Sequence, residues 1–251
     1  MARPIQGLTE KDFRVEVASQ SVRPLAVGFS RPQAQRLQVV ILVDCSGSTT
    51  GAALAAAKAG AQQLLHQLDG QADVQLIAFS EAISPRTNWG TDLRGASQRL
   101  APLEARGGTA LYKALSAAID ALKARPNPRL VVLFTDGKDS AGGIDPADLL
   151  GRLRQEQIKV HCVGLETAEF DRTAIERFTT ATAGTLVTAS QAGELAQRFT
   201  ELSHALSAPR YRLVIPCLES RGMLRIQAGG QNAVRLETPI DPTADAPKGS
   251  K

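Results

Sequence analysis

The sequence predicts an α/β protein: a Rossmann-like, doubly wound and mostly parallel sheet flanked by helices, with a small antiparallel β unit formed by the N- and C-terminal segments. From residue 38 onward, short apolar runs alternate with longer segments of helical periodicity. Both ends of the chain instead alternate apolar and polar residues, as antiparallel strands with one solvated face do. With 251 residues and 43% hydrophobic content, the chain can bury a full core.

Five apolar runs rich in β-branched residues predict the parallel strands. They span residues 39–43, 74–79, 130–134, 160–165 and 185–187. Segments with apolar residues at three- to four-residue spacing predict the helices. They span residues 52–68, 111–124, 149–156, 174–181 and 191–206. Asp145 and Pro146 supply a cap and a first-turn proline ahead of the third helix.

The terminal segments predict strands near residues 13–17, 25–29, 211–215, 224–226 and 234–236, with a turn at residues 229–232. Because these strands have one wet face each, we expect the two ends of the chain to meet in one small β unit. The predicted organisation is N-terminal strands at 1–35, the α/β domain at 36–208, C-terminal strands at 209–238 and a flexible polar tail at 239–251.

Composition excludes several classes of function. The net charge of +4 is spread among acidic residues and the aromatic content is 4%, so we expect no nucleic-acid partner. No apolar run is long enough to insert into a membrane. The chain as given starts without a secretory signal and would be cytoplasmic, or secreted or surface-exposed if it is a processed fragment of a larger multidomain protein or complex.

The three cysteines lack CxxC spacing, which argues against a disulfide framework. Cys45 and Cys162 lie in or beside apolar runs and are predicted to be buried thiols.

Three polar loops carry the candidate chemistry. Asp44, Ser46 and Ser48 follow the first predicted parallel strand, Thr109 follows a glycine pair before a helix, and Asp136 follows the third of these strands. In open α/β sheets, binding sites form outside the carboxyl ends of the strands. The loops are therefore predicted to supply two carboxylates and three hydroxyls to one place.

These ligand types indicate a hard divalent cation. Oxygen ligands without His or Cys favour Mg²⁺, with Mn²⁺ or Ca²⁺ as alternatives, over zinc. The spacing of two residues between Asp44, Ser46 and Ser48 lets alternate side chains point to one centre, and Gly47 permits the tight turn.

The pattern resembles the metal-ion-dependent adhesion site (MIDAS) of von Willebrand factor A (VWA) domains. All five positions match that motif in order: Asp44, Ser46, Ser48, Thr109 and Asp136. The resemblance implies the VWA fold over about residues 36–207. It also implies that the two serines bind the metal directly, the threonine directly or through water, and the aspartates largely through water. Segments at residues 7–15 and 211–213 are similar to the flanks of a bacterial subgroup of these proteins. One departure is Thr49, where many members have Met.

Known enzyme motifs match the same residues poorly. A serine hydrolase elbow needs glycines where Asp44 and Ser48 stand, and an aspartyl-phosphate phosphatase needs an acid where Ser46 stands. Neither a phosphate-binding loop nor a dinucleotide-binding glycine motif is present. The three histidines, at positions 66, 161 and 204, lie far apart in sequence.

The sequence therefore predicts a non-catalytic, divalent-metal-dependent adhesion or assembly module. Its partner would be a protein whose Glu or Asp carboxylate occupies the open coordination position of the ion. Two alternatives stay open: a structural or assembly subunit whose metal site is unused, and, less favoured, a metal-dependent hydrolase.

Overall fold

The computed structural model describes residues 8–30, 36–90, 92–207, 210–215, 222–228 and 234–240. The predicted turn at residues 229–232, most of the predicted tail and Cys217 lie outside these ranges. The chain divides into two units, Pro32–Ser207 and the paired terminal segments Met1–Arg31 and Ala208–Lys251.

The described residues form twelve strands and six α-helices. In chain order the strands are β1 Phe13–Val17, β2 Gln20–Val22, β3 Ala26–Ser30, β4 Leu37–Asp44, β5 Ala72–Phe79, β6 Ile83–Pro85, β7 Arg129–Thr135, β8 Ile158–Leu165, β9 Leu186–Ala189, β10 Arg210–Val214, β11 Gly222–Ala228 and β12 Val234–Ile240. The helices are α1 Ala52–Leu68, α2 Leu93–Gln98, α3 Leu111–Leu122, α4 Pro146–Gln155, α5 Arg172–Ala181 and α6 Leu195–Ser207.

The main unit is built on a six-stranded sheet with the order β6-β5-β4-β7-β8-β9. Strands β5, β4, β7, β8 and β9 run parallel, and only the edge strand β6 is antiparallel to its neighbour. All eight residues of β4 are buried. A strand covered on both faces needs apolar side chains in both directions, which explains its unbroken apolar run from Val39 to Val43.

Helices cover the two faces of this sheet. Val39, Ile41 and Val43 of β4 belong to the core that includes residues of α1 and α6. Val40 and Leu42, which point to the opposite face, belong to the core that includes residues of α3, α4 and α5. The predicted α/β fold class, with helices on both faces of a mostly parallel sheet, is confirmed.

The order of the strands reverses between β4 and β7. From β4 the chain passes through α1 to β5 on one side, and later enters β7 on the other side before continuing to β8 and β9. Such a switch point opens a crevice at the carboxyl ends of the two strands, where α/β proteins bind ligands. Asp44 ends β4, and Asp136 directly follows β7.

The terminal unit is antiparallel, as predicted. It contains a four-stranded sheet in the order β12-β11-β1-β2 and a separate pair of β10 with β3. Phe13, Val15 and Val17 form its small buried core, whereas the alternate residues of β1 are exposed. The small β unit thus consists of two sheets rather than one.

Three short elements were not predicted, namely β2, β6 and α2. Each is too short to show a hydrophobic period, and α2 depends on Asp92, whose side chain accepts a hydrogen bond from the Gly95 amide. The last predicted helix starts later than expected, because residues Ala192–Glu194 form a 3-10 turn before α6. No helix in the described ranges has the length and hydrophobicity required to cross a bilayer.

Candidate metal site

The loop after β4 is shaped by its own polar side chains. The Asp44 carboxylate turns back, and its Oδ1 accepts a hydrogen bond from the Ser46 amide at 2.9 Å. A 3-10 turn follows at Gly47–Thr49. The Thr49 hydroxyl donates to the Ser46 carbonyl at 2.8 Å, so the residue at the position that differs from many VWA domains stabilises the loop.

The two serines and the second aspartate come together across the switch point. The Ser46 and Ser48 hydroxyl oxygens lie 3.1 Å apart. The Ser48 hydroxyl donates to Asp136 Oδ1 at 2.9 Å, although the two residues are 88 positions apart in the chain. The fold therefore brings together three of the five side chains proposed from sequence.

Asp44 joins this group through β7. Its Oδ2 accepts a hydrogen bond from the Thr135 hydroxyl at 2.6 Å, so both carboxylate oxygens of Asp44 are engaged. The parallel pairing of β4 with β7 places the ends of the two strands side by side. No function was assigned to Thr135 from sequence, although a hydroxyl just before an aspartate at the end of the neighbouring strand is the signal that could have identified it.

The glycine-pair loop lies against the serine loop. The Gly47 amide donates to the Gly107 carbonyl at 2.9 Å. Gly107 has φ +73°, a left-handed conformation that glycine adopts without strain. Backbone contacts therefore fix this loop beside β4.

Thr109 completes the group. Its side chain is buried, and its amide donates to the Ser140 hydroxyl at 2.9 Å. A Cβ built on Gly137 would lie 3.7 Å from the Thr109 hydroxyl and 3.9 Å from the Ser48 hydroxyl, so both hydroxyls face the same glycine. The structure thus places all five sequence-proposed residues at one edge of the sheet.

Burial of Asp44 and Asp136 at this edge of the sheet destabilises the charged forms of their carboxyl groups. Desolvation raises the pKa of Asp44 to about 6, although hydrogen bonds from Ser46 and Thr135 oppose the shift and the charge of Asp136 adds to it. The pKa of Asp136 is also raised, mainly by burial. Its Oδ2 atom is buried and accepts no hydrogen bond from any residue that the structure describes.

An unpaired buried carboxylate oxygen beside a second buried carboxylate is costly unless a cation compensates it. The surrounding hydroxyls are donors that can also act as hard oxygen ligands. The residues at this edge therefore fit a divalent cation. Among the described residues, no group of three or more His, Cys, Asp or Glu side chains is placed to hold a metal, so the ligand set here depends on hydroxyls.

Histidine and cysteine lie apart from this chemistry. His66 is exposed on α1, about 20 Å along the helix from the site loop, and His161 is buried within β8. The side chain of His204 is outside the described set. Cys45 and Cys162 are buried free thiols, as predicted, and burial raises the pKa of Cys45 to about 11.

Two loop charges considered as rim residues differ in their surroundings. Asp139 accepts hydrogen bonds from the Tyr112 amide at 3.0 Å and the Gly142 amide at 2.8 Å, so it fixes its loop to the start of α3. Lys138 is exposed. The loop after β8 also reaches the site, because the Thr167 hydroxyl donates to the Asp136 carbonyl at 2.6 Å.

An α/β domain with polar loops gathered at the switch point of a doubly wound sheet defines a class of ligand-binding proteins. Within that class, the profile of the von Willebrand factor type A domain matches residues 39–138. This part of the chain is therefore similar to the VWA family, which supports the resemblance expected from the sequence. No curated protein sequence gives a significant match.

Solved structures share this fold at low sequence identity. A von Willebrand factor type A protein from Catenulispora acidiphila has a TM-score of 0.63 at 18% identity, covering 94% of this chain and 74% of that one. The vWF domain of the type V pilus tip protein Mfa5 from Porphyromonas gingivalis has a TM-score of 0.57 at 12% identity, covering 68% and 95%. Proximal thread matrix protein 1 from the mussel byssus, described with a zinc-occupied MIDAS motif, has a TM-score of 0.63 at 14% identity, covering 74% and 50%. At such identities these similarities support the fold.

Proposed function

We propose that residues 36–208 form a divalent-metal-dependent protein-binding domain with no catalytic activity. Asp44, Ser46, Ser48, Thr109 and Asp136 would hold the ion, with Mg²⁺ as the first candidate and Mn²⁺ or Ca²⁺ as alternatives. The bound ion would supply a Lewis-acid position that accepts a Glu or Asp carboxylate of a partner protein. The partner would therefore be recognised through an acidic side chain.

The observation that carries this proposal is the buried, unpaired Oδ2 of Asp136 beside the Ser46 and Ser48 hydroxyls. A carboxylate in such a place gains most from a cation that also binds the hydroxyls. The match of residues 39–138 to the VWA family adds support, and zinc occupies the MIDAS motif of the mussel byssus protein. Because that protein holds zinc whereas Mg²⁺ is the first candidate here, the identity of the ion must be measured.

The metal-dependent hydrolase is the weaker alternative. Hydrolysis at a metal site needs a group that removes a proton from water within hydrogen-bond reach. Asp44 already accepts two hydrogen bonds. Asp136 accepts one from Ser48 through Oδ1, and in the proposed site its Oδ2 would bind the ion or an ion-bound water. A protein-binding role does not need a group that removes a proton from water, so we favour it over hydrolysis.

Calorimetric titration with Mg²⁺, Mn²⁺ and Ca²⁺ tests the ion site. Asp136→Asn removes the charge of the unpaired carboxylate, and we expect at least a tenfold loss of metal affinity. Asp148→Asn is the matched control, since Asp148 is exposed on α4 and the same charge is removed. Absence of metal binding by the unaltered chain would favour the assembly subunit with an unused site.

Carboxylate capture needs its own experiment. The peptides acetyl-Gly-Glu-Gly-amide and acetyl-Gly-Gln-Gly-amide can be titrated into the Mg²⁺-loaded protein while backbone amide signals are followed by NMR. We expect the Glu peptide to shift the signals of Ser46, Ser48 and Thr109, and a chelator to abolish the shifts. Equal shifts for the two peptides, or shifts that persist in chelator, contradict carboxylate capture by the ion.

A further inference from the structure

A pocket of about 220 Å³ opens beside the candidate metal site. Cys45, which lies between Asp44 and Ser46 in the chain, lines it, and so does Ser80, the residue after β5. The Arg106 amide donates to the Cys45 carbonyl at 2.8 Å, which fixes one wall of the pocket to the metal loop. Because Cys45 lies between two of the proposed metal-binding residues in the chain, the pocket and the metal loop share this residue.

The second wall carries a half-buried guanidinium, that of Arg86. Its backbone is fixed by a hydrogen bond from its amide to the Leu76 carbonyl at 2.8 Å. Its Nη1 donates to the Ser84 hydroxyl at 3.2 Å. Within the part of the chain that the structure describes, no carboxylate lies within ion-pair distance of it, whereas Arg125 and Arg129, which are also partly buried, each pair with an acid.

The charges around the pocket favour an anion. Arg86 and Arg106 contribute two positive charges and Glu104 contributes one negative charge, which leaves the lining one unit positive. The Glu81 carboxylate is not part of the lining and lies against Gly107. Ser80 and Ser84 add hydroxyls that can donate to an oxyanion. A half-buried guanidinium has lost part of its hydration, so it gains more than an exposed one from a carboxylate that binds it in bidentate fashion.

We propose that this pocket binds a second carboxylate of the same partner protein, through Arg86 and Arg106. The inference rests on the proposed function, since it assumes that the first carboxylate is held at the metal site. The partner recognised by this domain is then a segment with two acidic side chains, one for the ion and one for the arginine pocket.

A peptide series with one or two acids tests this pairing on the full chain loaded with Mg²⁺. The single-acid probe is acetyl-Gly-Glu-Gly-amide. The two-acid probes are acetylated, amidated peptides with a second Glu placed directly after the first, or after one, two or three glycines. Each peptide also has a form in which the second Glu is Gln. Dissociation constants come from NMR titration, with the backbone amides and the Nε–H signal of Arg86 as reporters.

We expect at least one spacing to bind about tenfold more tightly than its Gln counterpart, as one charge-assisted hydrogen-bonded pair implies. That gain should disappear in Arg86→Gln and persist in Arg94→Gln, which removes the same charge from an exposed position on α2. The Nε–H signal of Arg86 should shift with the two-acid peptide only. Circular dichroism and metal titration of each variant check that fold and ion site are intact.

Two results overturn the proposal. One is the absence of any gain from the second acid at all four spacings, and the other is an equal gain in Arg86→Gln. Failure of the proposed function is distinguishable, because the single-acid peptide would then bind without dependence on Mg²⁺ or would not bind at all.

Discussion

The close approach of α1 and α6 leads to a prediction about Gly60, which lies in the middle of α1. A Cβ built on Gly60 would lie 2.0 Å from Cδ2 of Phe199 on α6. Phe199 is only 1% exposed, and its ring packs against that of Phe134 with the centroids 6.3 Å apart. The ring is therefore buried and packed, so any shift that accommodates a methyl group at Gly60 would disturb its contact with Phe134.

The change Gly60→Ala has two opposing effects. Adding a methyl group to a filled core costs about 1–3 kcal/mol, and 2.0 Å is a severe overlap, so the upper part of that range applies. The higher helix propensity of alanine returns about 1 kcal/mol. We expect a net loss of about 1–2 kcal/mol in the free energy of unfolding.

Gly151→Ala is the matched control. Gly151 also lies inside a helix, α4, but it is exposed and a Cβ there would meet no atom within 4 Å. Only the propensity gain remains, so this variant should be stabilised by up to about 1 kcal/mol. The two Gly→Ala variants should therefore differ by about 2–3 kcal/mol.

Urea denaturation followed by far-UV circular dichroism measures both variants, provided that their m-values agree. The double variant Gly60→Ala with Phe199→Leu removes the ring that the methyl group meets. In a double-mutant cycle, its loss of stability should be smaller than the sum of the two single losses. If Gly60→Ala is as stable as Gly151→Ala, the proposed contact between α1 and Phe199 is wrong.

Three further changes test other contacts by the same denaturation measurement. Gly184→Ala places a Cβ 1.8 Å from the backbone carbonyl oxygen of Val160 in β8. The free energy of unfolding should therefore fall by at least about 3 kcal/mol, and a loss below about 1 kcal/mol would contradict that geometry. Thr135→Val removes the hydroxyl that donates to Asp44 at 2.6 Å. In the presence of a chelator, the free energy of unfolding should fall by about 1–3 kcal/mol. An unchanged midpoint of urea denaturation would show that this hydrogen bond contributes nothing to stability. Leu64→Ala in the α1 core should cost about 2–5 kcal/mol, and a smaller loss would indicate that the site collapses around the cavity.

The central strands and long helices were predictable because burial on two faces and amphipathic periods leave strong patterns in the sequence. The predicted helix at residues 52–68 has the bounds of α1, and the apolar run at 39–43 lies inside β4. Elements with few buried side chains leave no such pattern. Thus β6 at the sheet edge and the six-residue α2 were missed, since backbone and capping hydrogen bonds determine them more than hydrophobic burial does.

The clustering of Asp44, Ser46, Ser48 and Asp136 was predictable from topology, because the loops that follow parallel strands lie at one edge of the sheet. Thr109 precedes α3 instead, and it was expected there from its match to the motif. The contacts that hold these residues in place were not predictable. Thr135 and Ser140 act through hydrogen bonds to Asp44 and Thr109, respectively, and a hydroxyl in a loop has no sequence pattern that distinguishes such a bond from solvation.

The two sites proposed to bind a partner's carboxylates, at the ion and in the arginine pocket, also differ in how visible they are in the sequence. The candidate metal site is visible in the sequence because Asp44, Ser46 and Ser48 recur at a spacing of two residues in one loop. Arg86 shows no motif at all, since its position beside Cys45 depends on the antiparallel return of β6 along β5. A hairpin at a sheet edge can change without disturbing the buried strands, so the second site can vary while the first stays fixed. Specificity for different acidic partners would then be determined at the hairpin, with the ion supplying affinity that all of them share.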